Sequence, residues 1–154
     1  MTMFLILLHG LLAVVLLGGI THQAMSVAWP SRNKTGIVSS FRAVNGSVYA
    51  NANIVLYLAT ATLGGIIYPV YRIGVRTFLE NARLNAAVGS FELKEQFITI
   101  GLGMLPFYWL LWNRRPEAGA RPARMAVTLI LCAIVWYAFL VGHILNNIRG
   151  LFGL

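Results

Sequence analysis

Four long apolar stretches constrain the fold of this chain more than any other feature. They cover approximately residues 3–29, 53–71, 97–112 and 125–148. A helix needs roughly 20 apolar residues to cross a hydrocarbon core about 30 Å thick. Because lipid offers no hydrogen-bond partners, the backbone of such a stretch must satisfy its own polar groups, which favours helices. The sequence therefore predicts an all-α integral membrane protein with four transmembrane helices.

Composition excludes an ordinary water-soluble domain and places the protein in contact with the lipid bilayer. The chain is 58% hydrophobic and only 10% charged, with a formal net charge of +8. In a soluble protein this excess of basic residues would point to nucleic acid. Here the basic residues flank the apolar stretches, where anionic lipid headgroups attract them, so no nucleic-acid partner is expected.

The connections predict how the helices are arranged. Short connections make successive helices antiparallel neighbours, so residues 1–154 are predicted to form one transmembrane domain, an antiparallel four-helix bundle. Between the second and third stretches, apolar residues from Arg72 to Phe91 recur at helical spacing. This pattern is typical of an amphipathic segment that lies at the membrane surface or extends the second helix.

The distribution of Lys and Arg predicts the orientation of the helices. The first and third connections hold seven of these residues, and the opposite side holds five. The seven are Arg32, Lys34, Arg42, Arg114, Arg115, Arg121 and Arg124, and the five are Arg72, Arg76, Arg83, Lys94 and Arg149. The excess favours both termini outside, which in a bacterial inner membrane means the periplasm.

Two histidines are predicted to lie at matching depths in the bundle. At about 1.5 Å of rise per residue, His9 and His143 both lie roughly 10 Å to the outer side of their helix midpoints. Tyr68 falls at a similar height, with Arg72 just above it. His22 belongs near the inner side, where Asn53, Tyr57 and Tyr108 are its expected neighbours. Ionisable groups inside a membrane are costly and often mark functional sites.

A b-type haem held between His9 and His143 is the first hypothesis that this pattern supports. Tyr68 would line the cofactor pocket, and Arg72 or Arg76 would meet the haem propionates. The protein would then be a small subunit that transfers electrons, with a quinone nearby, within a larger respiratory-type complex.

A transition-metal ion is the alternative cofactor. Glu92 and Glu95 lie one turn apart at the outer end of the third helix, so they could join His9 and His143 as ligands. Two nitrogen and two oxygen donors suit zinc, iron or copper.

Other functions remain open at this point. A non-catalytic accessory subunit would hold no cofactor and would pack against larger membrane proteins or against copies of itself. A small transporter or proton path would use His9, His143 and Glu95 as relay groups. The chain has no Asp and lacks hydrolase and phosphate-binding motifs, which disfavours those reactions, but enzymatic activity of another kind stays open.

Overall fold

The computed structural model describes residues 2–29, 36–37, 45–114 and 119–151. These parts of the chain are helical and contain no strand. Arg32, Lys34, Arg42 and Arg115, which entered the prediction of orientation, lie outside the described residues. The elements are α1 (Thr2–Ala28), α2 (Gly46–Val70), a π-helical segment (Tyr71–Arg76), α3 (Thr77–Asn81), α4 (Asn85–Asn113) and α5 (Ala120–Leu151).

Three parts of the described chain are long and apolar enough to cross a membrane. They are Met3–Ala28, Gly46–Asn81 and Ala120–Ile148. The prediction of a helical membrane protein is confirmed at this level. The fourth predicted span, residues 97–112 of α4, is not among the three. Its tyrosine, tryptophans, glycines and Pro106 lower its hydropathy, and charged residues precede it in the same helix.

The helices are longer than the apolar stretches that predicted them. The second helix begins at Gly46 rather than near residue 53, because Asn45 caps it: its side-chain oxygen accepts a hydrogen bond from the Val48 N–H. The fourth apolar stretch lies within Ala120–Leu151. A helix therefore extends beyond its apolar run where polar residues continue it.

The predicted amphipathic segment does not form a separate helix. Its first part continues α2 through the π-helical segment and α3, and its last part is the beginning of α4. The chain reverses between them over residues 82–84, where Arg83 adopts a left-handed backbone conformation with a φ of 57°. Leu79 and Val88, one from each side of this turn, are buried against Val141 of α5. The apolar side of the segment thus packs against protein.

Each of the four long helices contacts two others. α1 packs against α2 and α5, and α4 packs against the same two helices. The shared core contains Leu16 and Ile20 from α1, Ala50 and Tyr57 from α2, Leu105 and Tyr108 from α4, and Leu131 and Val135 from α5.

Glycines allow the closest approaches between these helices. A Cβ added at Gly101 of α4 would collide with the Tyr57 hydroxyl, and one at Gly46 of α2 would collide with the Trp112 ring. Small residues at helix contacts are typical of membrane proteins, where close packing replaces the hydrophobic driving force.

Candidate functional site

His9 lies on the side of α1 that faces α2. A Cβ placed on Gly64 would lie only 3.2 Å from Cε1 of the imidazole, so the glycine makes room for the ring. The ring also lies near the backbone of Thr60 and within electrostatic range of Lys94. Its Nδ1 atom is buried, with no hydrogen-bond partner among the described residues. His9 therefore lies against α2.

His143, by contrast, is exposed on α5. Its Nε2 lies 3.3 Å from the side-chain nitrogen of Asn147, and its ring is parallel to that of Phe139, with 6.2 Å between the centroids. Both partners are one turn away on the same helix. The described contacts therefore do not bring His143 together with His9, and the arrangement lacks the pair of opposed imidazoles that a haem would require.

Lys94, which acts electrostatically on His9, belongs to a group of side chains around an aromatic ring that the sequence argument did not use. We call His9, Tyr68, Tyr71, Phe91 and Lys94 the Phe91 cluster. The Tyr71 ring stacks on Phe91 with 3.7 Å between the centroids, and Tyr68 stacks more distantly at 6.3 Å. The Lys94 Nζ lies 3.9 Å from the Phe91 centroid. Because Tyr71 already covers one face of Phe91, the ammonium occupies the other face.

Ion pairs beside this cluster join the end of the second helix to α4. The Arg76 guanidinium lies 2.8 Å from Glu80 and 2.9 Å from Glu92. Arg72, predicted to face a cofactor, is exposed and acts on Glu95 only through electrostatics. Glu92 thus already has a cationic partner, and the described ion pairs do not include Glu95 or Lys94.

Lys94 and Glu95 precede the apolar part of α4, and burial shifts both of them toward their neutral forms. Desolvation lowers the pKa of Lys94, and the neighbouring carboxylate of Glu95 offsets this only in part. Desolvation raises the pKa of Glu95, while the charge of Lys94 acts in the opposite direction. A lysine whose charge is opposed by its surroundings is more typical of a functional position than of a solvated surface.

The four proposed metal ligands are not assembled in the described part of the chain. No group of three or more His, Cys, Asp or Glu side chains there is placed to hold a metal ion. His143 lies outside the cluster and Glu92 pairs with Arg76. The residues present do not fit a haem or a metal ion in the predicted geometry, and both cofactors stay predictions without support.

A second group of buried polar side chains lies at the opposite end of α1. We call Gln23, Asn53 and Tyr108 the Gln23 network. The Gln23 Oε1 accepts hydrogen bonds from Asn53 Nδ2, at 2.7 Å, and from the Tyr108 hydroxyl. The Gln23 Nε2 donates to the Gly46 carbonyl at 3.1 Å. These bonds connect α1, α2 and α4 inside the core.

Sequence reasoning identified part of both groups. It placed Asn53 and Tyr108 at one depth, but around His22 rather than around its neighbour Gln23. It did not name Lys94 or Phe91 as site residues. The available signal was the single lysine close to the apolar part of α4, three residues after an aromatic residue.

Comparison of the chain with protein-family models, with curated proteins and with solved structures found no match.

Proposed function

We propose that the protein is a non-catalytic accessory subunit of a membrane complex, built as an antiparallel bundle in which α4 provides the fourth transmembrane helix. The pairing of residues between helices supports this arrangement. Asn51 of α2 meets Asn113 of α4, and Tyr57, farther along α2, meets Ile98, which is earlier in α4. Such reversed pairing is expected of helices that run in opposite directions.

The exposed position of His143 carries the proposal. His143 and Asn147 lie on a candidate membrane span, and Leu140 and Ile144 are exposed on the same stretch of α5. Polar side chains in a membrane helix usually face protein or a water-filled cavity, because hydrocarbon cannot satisfy their hydrogen bonds. We infer that a transmembrane helix of a larger partner covers this face and presents a hydrogen-bonding side chain at the depth of His143.

The distribution of basic residues favours termini on the periplasmic side of a bacterial inner membrane.

Electron transfer through a haem or metal ion at His9 and His143 has no geometric support, because the His143 ring is outside the protein core. A proton path that includes His143 meets the same objection.

Site-specific crosslinking tests the docking face of α5. A photoreactive amino acid at Ile144 is compared with one at Ile66 of α2, since the two side chains are 55% and 57% exposed. In native membranes we expect a single protein adduct of defined mass at position 144 and none at position 66. The adduct at position 144 should disappear when His143→Leu is added, because leucine removes the hydrogen-bonding group but keeps the apolar surface.

Three outcomes would overturn the proposal. Lipid adducts alone at position 144 would mean that the face contacts the bilayer. An adduct with twice the mass of this chain would identify self-association instead of a larger partner. Haem bands in the absorption spectrum of the purified protein, lost in His9→Ala, would restore the electron-transfer hypothesis.

A further inference from the structure

An apolar groove runs along the surface of the bundle between α2 and α4. Its volume is about 320 Å³, and its lining consists of Ile54, Leu58, Leu102, Leu105, Pro106 and Trp109. Leu105 is buried and forms the floor, whereas Leu58 and Trp109 are 47% and 48% exposed. The groove is therefore open to whatever surrounds the bundle.

The size of the groove excludes a helix of a partner protein as its occupant. From Leu102 to Trp109 it extends about 10 Å along α4, at 1.5 Å of rise per residue. A helical segment of that length, about 10 Å in diameter, would occupy roughly 800 Å³. The groove has less than half of this volume and is lined by apolar side chains. Its dimensions and its lining fit a single hydrocarbon chain.

A polar site closes the groove at one end. Asn51 precedes Ile54 by about one turn of α2, and Asn113 follows Trp109 by about one turn of α4. The Asn113 Nδ2 donates to the Asn51 Oδ1 at 3.0 Å and to the Trp109 carbonyl at 3.1 Å. The Asn51 Nδ2 donates to the Asn113 Oδ1 at 3.4 Å. Because a side-chain amide carries two N–H donors, exposed Asn51 keeps one of them for a further acceptor.

The charge at this end of the bundle is positive. Arg114 directly follows Asn113, is exposed, and takes no part in the described ion pairs. From Arg114 to Arg124 the sequence contains four arginines and one glutamate, Glu117, which lies outside the described residues. The described carboxylates lie at the other end, and Glu95 is about 28 Å from Arg114 along α4. Such an excess of arginine at a membrane surface attracts anionic lipid headgroups.

We propose that the groove between α2 and α4 is a specific binding site for an anionic phospholipid. One acyl chain lies along the groove against Leu58, Leu102 and Trp109, and the phosphate group accepts hydrogen bonds from Asn51 and Arg114. The inference rests on the proposed position of α4 as a transmembrane helix. It adds a lipid partner that the accessory role does not require, on a different face from the docking face of α5.

Quenching of tryptophan fluorescence in the full-length protein tests the site. The probe is phosphatidylglycerol with brominated acyl chains, added to the protein in mixed detergent micelles, because bromine quenches a tryptophan that it contacts. We expect saturable quenching at a concentration roughly tenfold lower than with brominated phosphatidylcholine, since hydrogen bonds between charged groups add to the binding energy. Trp109→Phe should remove this saturable component. Trp136→Phe is the matched control and should retain it, since Trp136 is 41% exposed on the membrane span of α5.

Substitutions then separate the chain from the headgroup. Leu58→Phe places a larger side chain in the groove and should weaken binding of both brominated lipids several-fold at Trp109. Val55→Phe is its control, because Val55 is 65% exposed on α2 and does not line the groove.

Arg114→Gln should weaken binding of phosphatidylglycerol roughly tenfold and leave that of phosphatidylcholine unchanged. Arg72→Gln serves as its control, because Arg72 is exposed at the opposite end of α2.

Four outcomes would overturn the proposal. Equal quenching of Trp109 by the two lipids would mean ordinary contact with the bilayer, and displacement of the brominated lipid by inorganic phosphate would mean a phosphate site without a chain. A protein adduct from a photoreactive amino acid at Leu58 would mean that a protein covers the groove. Absence of quenching by either lipid would also contradict the membrane position of α4. The crosslink at Ile144 should persist in Leu58→Phe and Arg114→Gln, so failure of the lipid site is distinct from failure of the docking proposal.

Discussion

The Gln23 network and the Phe91 cluster both bring together side chains of α1, α2 and α4, but they differ in burial and in how far the protein satisfies them. Gln23, Asn53 and Tyr108 are buried, whereas the residues of the Phe91 cluster are half-buried. In the Gln23 network, uncharged side chains from three helices bond to one another and to the Gly46 carbonyl. Only the Asn53 Oδ1, which lies against Gly19, has no partner there. In the Phe91 cluster the Lys94 ammonium meets the face of Phe91, and the His9 Nδ1 and the Tyr71 hydroxyl have no hydrogen-bond partner among the described residues. Hydrogen bonding within the protein therefore distinguishes a link between helices from a candidate functional site.

Removal of Gln23 should have the largest effect on this contrast. Gln23→Leu deprives Asn53, Tyr108 and the Gly46 carbonyl of their shared partner, and we expect it to lower the free energy of unfolding by about 2–3 kcal/mol. Titration with a denaturing detergent, followed by circular dichroism, measures this change. Gln96→Leu is the matched control, since Gln96 is exposed on α4. Equal effects of the two substitutions would mean that the Gln23 network does not link the helices.

The same chemical change should destabilise the protein at one tyrosine and not at the other. Tyr108→Phe removes a hydroxyl that donates to Gln23 and should destabilise the protein by about 1–1.5 kcal/mol. Tyr71→Phe removes a buried hydroxyl without a partner and should leave the protein unchanged or up to about 1 kcal/mol more stable. Both values come from the same unfolding titration. Destabilisation by Tyr71→Phe would remove the distinction between the two regions.

Replacement of Lys94 should have the smallest effect at neutral pH and the clearest dependence on pH. Lys94→Met removes a disfavoured buried charge at the cost of its contact with Phe91, so we expect a net gain of about 1 kcal/mol for the protein. Burial lowers the pKa of Lys94 in the folded state below its ordinary value of 10.5.

The unfolded chain therefore binds more protons at this position than the folded protein does. The contribution of Lys94 to stability should rise as pH increases from its lowered pKa toward 10.5, so the advantage of Lys94→Met over the wild type should shrink over the same range. Unfolding at pH 7 and near pH 10 measures both effects. An advantage that stays constant between these pH values would contradict the argument from burial.

Much of the helical framework could be predicted from the sequence, because long apolar runs leave few alternatives in a membrane. The positions of the helix ends were harder to predict. The start of α2 at Gly46 depends on the cap that Asn45 forms. Because polar residues follow this cap, the first turns of α2 could not be predicted from hydrophobicity. The two parts of the Arg72–Phe91 segment could not be separated, since the turn at residues 82–84 contains no glycine or proline.

The candidate site was predictable in depth but not in direction. Rise per residue places His9 and His143 at matching heights, but height does not determine which way a side chain points around the helix axis. That direction depends on which neighbours each helix packs against. For His9 it is α2, at Gly64, whereas His143 is directed away from the core. Lys94 differs, because residues three apart on a helix are neighbours, and its contact with Phe91 is a local pattern that the argument from depth did not use.

The π-helical segment changes how α3, which follows it, is rotated relative to α2, which precedes it. A wide turn accommodates one residue more than regular α-helix, which rotates everything after it by roughly 100° relative to a continuous helix. Tyr68 and Tyr71 before or at the turn can therefore be directed toward Phe91, while Leu79 beyond it reaches Val141 and Leu145. Deletion of one amino acid from residues 71–76 would rotate Leu79 around the helix axis relative to Tyr68, so the contacts with Phe91 and those with Val141 could not both form. The length of this turn is therefore as important as its composition.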